Sequence, residues 1–140
     1  MRGGDIVVRN PRSTRPYQHV LEPLLAYLMI AARQYEDGGY AGSYNVGPDD
    51  AGCCETGALA ELFVRRWGEG IRWIDRSDGG PHEAGFLKLD CSRLKDTFGW
   101  RPRWNLDTAV EMTVEWSKCW LSGGDVRGCM DRQIDRFLEA

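Results

Sequence analysis

Strand-forming runs in this chain are few and short, which limits its fold more than any other feature. They are "DIVVR" (5–9), "SYNVG" (43–47), "IRWID" (71–75) and "FLKLD" (86–90), bounded by glycine, proline or polar loops. Such runs cannot build a complete doubly wound sheet. No G-x-G-x-x-G opens a helix near the N-terminus, so no dinucleotide-binding βαβ unit is expected. Walker, G-x-S-x-G and H-E-x-x-H patterns are missing as well.

Helical periodicity fills the space between these runs. Leu24, Leu25, Leu28, Met29, Ala32 and Tyr35 recur at helical spacing. Pro23 suits the first turn of that helix, where its missing N–H would have no partner anyway. Gly38 and Gly39 close it. Thr56 is expected to cap a second helix running through Leu59, Leu62, Phe63 and Trp67 to Gly68. Asp90 or Ser92 starts a short helix that Gly99 ends. Asn105 caps the clearest helix, with Val110, Val114 and Cys119 inward, Trp116 and Trp120 flanking, and Gly123–Gly124 breaking it. "MDRQIDRFLEA" (130–140) reads as a last amphipathic helix. The expected class is α+β, helix-rich with a few short strands, in a single domain over residues 1–140.

Composition narrows the function classes. At 140 residues the chain suits one core, and 42% hydrophobic with 28% charged residues is ordinary for a globular protein. A net charge of −3 gives no basic field for nucleic acid. No apolar run reaches the roughly 18 residues of a membrane span, and the N-terminus lacks a signal-peptide core, so a cytoplasmic location is expected. The five cysteines include one adjacent pair and no C-x-x-C, which argues against both a disulfide framework and a structural zinc.

"RSTRPYQHVLEP" (12–23) places arginine, an aromatic ring and a histidine at the mouth of a helix. By itself this is either a basic loop or an anion site. The order of motifs along the chain adds more. "VVRNPRSTRPYQHVLEPLLAYL", "SYNVGP", "WGEG" and "GPHEAGFLKLDCSRLKDTFGWRPRWNLDTAVEMTVEW" resemble the C-terminal, substrate-binding portion of the extended short-chain dehydrogenase/reductase family, in its CDP-glucose 4,6-dehydratase branch. The resemblance runs from about residue 5 to about residue 138.

The family's glycine-rich NAD loop, its tyrosine–lysine pair and its acid/base residues have no counterpart in this sequence. The resemblance therefore implies a chain that binds no NAD cofactor of its own and does not catalyse the reaction alone. It implies that Arg15 contacts the diphosphate of a nucleotide sugar, a task suited to a forked guanidinium. Asn45 is implied to lie beside the nucleotide, or to bond to neighbouring backbone. His82 and Glu83 fall on a loop implied to close over substrate, His82 toward phosphate and Glu83 toward an arginine. His19 is expected to be structural and Tyr17 to pack on the core. Arg101 and Arg103 are expected to cover apolar surface with their stems.

Three functions remain open at this level. One is a non-catalytic module binding a CDP-sugar or nucleoside diphosphate. Another is an interaction protein that self-associates, most simply as a homodimer. The third is a substrate-binding subunit completed by a separate NAD-binding partner chain.

Overall fold

The computed structural model describes residues 4–68, 70–77 and 85–140. Its strands are β1 (Ile6–Val8), β2 (Thr14–Pro16), β3 (Cys53–Glu55) and β4 (Trp73–Asp75). Its helices are α1 (Leu21–Glu36), α2 (Thr56–Trp67), α3 (Ser92–Phe98), α4 (Leu106–Leu121) and α5 (Val126–Leu138). The helix-rich α+β class is as the sequence implied. Two short 3₁₀ turns, Gly38–Tyr40 and Asp50–Gly52, link elements. No helix among the described residues is long and apolar enough to cross a membrane.

The strands form two separate pairs. β1 lies parallel to β4, with Ile6 opposite Trp73 and Val8 opposite Asp75. β2 lies antiparallel to β3, with Arg15 opposite Cys54. Two expected strands do not form. Residues 43–47 have no ladder; side chains hold them instead, with Asn45 Nδ2 donating to the Asp90 carbonyl at 3.0 Å. Of residues 86–90, only Phe86 forms a bridge, parallel to Thr14.

Four of the five helices start where a local side-chain acceptor meets a free N–H group; α2 instead gives its first N–H groups to the distant Ser13 and Pro11 carbonyls. Asn105 accepts from Thr108 N–H at 2.9 Å, as expected. Asp125 accepts from Gly128 N–H at 2.9 Å and starts α5 four residues earlier than its apolar pattern indicated. At α1 the acceptor is His19 Nδ1, which takes the Leu21 N–H at 3.3 Å. Thr56 is not a cap: it is the first helical residue, and its hydroxyl serves the β2 side of the fold. Gly99, with φ +67°, ends α3 in the left-handed conformation that favours glycine.

Packing corrects the reading of α1. Leu25 packs into a cluster of Trp104, Met112 and Phe137, and Met29 and Ile30 into one of Ala26, Leu94 and Trp100. Leu24, Leu28, Ala32 and Tyr35 face outward. The helix is apolar on both sides, so periodicity alone could not choose the buried one. Glu22 makes the choice. It is fully buried, and its Oε1 accepts from the N–H groups of Arg103, at 3.0 Å, and Trp104, at 2.8 Å. Arg103 in turn donates to the Phe137 and Leu138 carbonyls at 3.0 and 2.8 Å, tying α5 to the same turn. Its guanidinium carbon also lies 5.5 Å from the centre of the Phe137 ring, so the charged head, rather than the stem expected from the sequence, makes the contact and caps a helix C-terminus.

Burial holds the Glu22 carboxyl above its ordinary pKa of 4.5, against the lowering effect of the two N–H donors and Arg103. An acid whose folded pKa is raised supports the fold fully below its unfolded pKa and loses that support as pH rises through the folded value. Glu22→Gln removes this loss. Urea unfolding should therefore show wild type losing ground against Glu22→Gln between pH 4 and pH 7; a pH-independent difference would contradict it.

Candidate functional site

A cavity of about 690 Å³ opens between β1, the segment leading into α1, and the facing sides of α2 and α4. Val8, Leu59, Phe63 and Val110 supply apolar wall; Arg9, Asn10, Ser13, Arg15, Tyr17 and Gln18 supply polar wall. Two arginines and no carboxylate line it among the described residues. Among the described residues these two guanidinium groups are the charged side chains in its wall.

Hydroxyl contacts hold the polar wall. Thr56 Oγ1 lies 2.8 Å from Tyr17 Oη and 3.0 Å from Ser13 Oγ, and donates to the Ser13 carbonyl at 3.1 Å. The backbone joins in: Thr56 N–H donates to Ser13 O at 2.9 Å and Gly57 N–H to Pro11 O at 2.8 Å. Glycine at position 57 keeps this approach unstrained. A Cβ there would sit 3.1 Å from Pro11 Cβ and 3.2 Å from Pro11 O. Arg15 projects from β2 within this frame, half-buried, with Nη1 donating to the Thr14 carbonyl at 2.9 Å.

The predicted residues divide. Arg15 and Tyr17 line the cavity. Asn45 does not: its amide is committed to Asp90, whose carboxylate accepts from Ser92 N–H at 2.9 Å at the start of α3. The backbone-bonding alternative for Asn45 is the one observed. His82 and Glu83 lie outside the described residues. His19 packs edge-on against Trp104, with ring centroids 5.0 Å apart, and burial lowers its pKa. It is the structural histidine expected. The five cysteines are free; Cys91 and Cys129 are buried and burial pushes their thiols up.

Sequence reasoning missed Arg9, Gln18 and Thr56. Arg9 stood inside the quoted motif and could have been paired with Arg15. The Thr56 hub had no local signal, because its partners lie 39 and 43 residues away. Thr56→Val should cost about 1–3 kcal/mol, since it takes the Thr56 partner from the half-buried Tyr17 hydroxyl and the bond from the Ser13 carbonyl, while Ser13 Oγ keeps the Asn10 carbonyl at 3.1 Å. Tyr17→Phe in that background should cost less than it does alone, as a double-mutant cycle on thermal melts would show.

Comparison with known proteins places this geometry in context. No protein-family model matches the chain. It is 38% identical over 136 residues to a CDP-glucose 4,6-dehydratase from Salmonella typhimurium, covering 96% of this chain. The chain spans 38% of that relative's length. Among solved structures, RMD from Pseudomonas aeruginosa complexed with NADPH aligns with TM-score 0.62 at 21% identity, over 76% of this chain and 33% of that one. UDP-N-acetylglucosamine 4-epimerase from Bacillus cereus gives 0.58 at 16% identity, over 80% and 37%. A UDP-galactose 4-epimerase gives 0.60 at 21%, over 81% and 35%. At these identities the solved structures establish shared fold only. The resemblance drawn from the motifs stands: this chain is similar, along nearly its whole length, to about a third of a CDP-glucose 4,6-dehydratase, in a fold found within extended epimerase/dehydratase enzymes.

Proposed function

We propose that this chain is a nucleotide-sugar-binding module that does not catalyse by itself. A CDP-sugar or nucleoside diphosphate enters the cavity beside α2 and α4, and its diphosphate meets Arg15 with Arg9 alongside. One observation supports this above others: Arg9 and Arg15 both line a cavity large enough for a nucleotide, in a chain similar to a CDP-glucose 4,6-dehydratase. A guanidinium can hold two phosphate oxygens at once, and the apolar wall keeps that attraction from full solvent screening. The chain's own residues bind and orient. Hydride transfer and proton abstraction fall to a dinucleotide-binding partner. Affinity of this part alone should be weak, about 1 mM or ~4 kcal/mol.

Ligand-observed NMR tests the reading. CDP and CDP-glucose should give saturation-transfer signals that fall sharply in Arg15→Ala and weaken with added salt. Equal signals in the variant, or none in the unmodified protein, would overturn it.

A second reading, self-association, rests on the outer side of α1. Val20, Leu24, Tyr27, Leu28 and Tyr35 are exposed there at 61, 46, 57, 69 and 94%. Their stripe carries no charge from Leu24 to Ala32. These exposures offer roughly 600 Å² per partner at most, short of the ~800 Å² of a stable interface, so pairing would have to cover neighbouring surface as well. Two copies paired antiparallel along α1 would cover it. Light scattering should give a dimer that Leu28→Lys converts to monomer; a monomer for the unmodified chain at micromolar concentration refutes the pairing.

A further inference from the structure

α4 and α5 pack as a helical hairpin about the turn 122–125. Side-chain contacts fix its register. Gln133 Nε2 donates to Glu115 at 3.0 Å, and Arg136 Nη1 reaches Met112 Sδ at 3.6 Å. Both pairs are symmetric about Gly124: Glu115 and Gln133 lie nine residues to either side of it, Met112 and Arg136 twelve. The same symmetry, carried toward the turn, sets Cys119 opposite Cys129, five residues to either side.

The thiols follow the register. Cys119 Sγ points into the turn, where a Cβ on Gly124 would sit 3.1 Å from it, so the glycine leaves the sulfur its room. Cys129 Sγ accepts from Gln133 Nε2 at 3.8 Å. The two thiols hydrogen-bond to each other. Their surroundings differ, since Cys129 is buried and Cys119 is half-exposed. Burial, with Glu115 nearby, holds the Cys129 thiol above its ordinary pKa. A reagent from solvent therefore meets Cys119 first, while Cys129 reacts only with what its neighbour presents.

We infer that Cys119 and Cys129 are a redox pair that closes the α4–α5 hairpin as a reversible disulfide. The oxidant is a small-molecule disulfide of the glutathione type. The Cys119 thiolate attacks one of its sulfurs and expels a glutathione thiolate. Cys129 then gives up its proton, attacks the Cys119 sulfur and expels the second glutathione thiolate. Two protein thiols become one disulfide, and oxidised glutathione becomes two thiols that carry the two protons. The link joins α5 covalently to the helix whose other end, from Leu106 to Thr113, lines the cavity.

Trypsin cuts after Lys118 and Arg127, which leaves the two cysteines on separate peptides that only a disulfide joins. After the folded protein is incubated with oxidised glutathione, mass spectrometry should find peptides 119–127 and 128–132 linked, and dithiothreitol should part them. In Cys129→Ala, Cys119 should instead carry glutathione. In Cys119→Ala, Cys129 should stay a free thiol. Urea, which dissolves the register, should lower the yield of the link. Unlinked peptides in the unmodified protein, an unmodified Cys119 in Cys129→Ala, or glutathione on Cys129 in Cys119→Ala would each overturn the inference. So would a yield undiminished by urea.

Discussion

One buried carboxylate sets the geometry of this molecule. Glu22 Oε1 receives two successive backbone N–H groups from a turn 81 and 82 residues further along the chain. Trp100 goes from that turn into one core cluster and Trp104 into the other. Arg103 reaches from it to the end of α5. The energetic gain is modest. Two hydrogen bonds to a charged acceptor contribute about 1.5–3 kcal/mol each, while burying a carboxylate costs several kcal/mol. Glu22 Oε2 has no partner among the described residues, which adds to the cost. The contact is better understood as positional: it selects which side of an all-round apolar helix turns inward.

That choice places the site. With α1 fixed, the segment before it, from Ser13 to Gln18, lies across the first turn of α2. The β2–β3 ladder is only three pairs long, too little to hold an arginine in place by itself. Thr56 supplies the rest through Ser13 and Tyr17. Arg15 is thus positioned by a hydroxyl hub and a glycine contact at position 57 more than by sheet. Two stretches expected as strands, 43–47 and 86–90, serve instead as connections, the first tethered by the Asn45 side chain and the second by backbone bonds at Thr14.

Much of this was legible in the sequence, and the pattern of failure is physical. Caps with a strong local signature, such as Asn105, were readable because their chemistry is contained within four residues. Asp125 was missed because the apolar pattern only begins in earnest at Met130. The burial of Leu25 over Leu24 was not readable, because a distant turn decides it. "SYNVG" and "FLKLD" have strand composition, yet strand formation needs a neighbour to pair with, and among the described residues only Thr14 reaches Phe86. Arg15 was legible through its motif. Arg9 lay in the same motif and could have been paired with it, whereas nothing local marked Gln18 as part of the same wall.

The make-up of the cavity wall bears on selectivity. On the proposed reading, its two arginines answer negative charge almost regardless of what carries it. Any preference among bases or sugars must come from groups with directional donors and acceptors: Asn10, Tyr17 and Gln18. Asn45 cannot contribute while its amide is held by the Asp90 carbonyl. Tyr17 is also constrained, since its hydroxyl is engaged with Thr56. Gln18 differs from both: one end of its amide is weakly committed and the other is unsatisfied. On the proposed reading Arg15 answers charge, while Gln18, three positions further along the same segment, offers a directional amide.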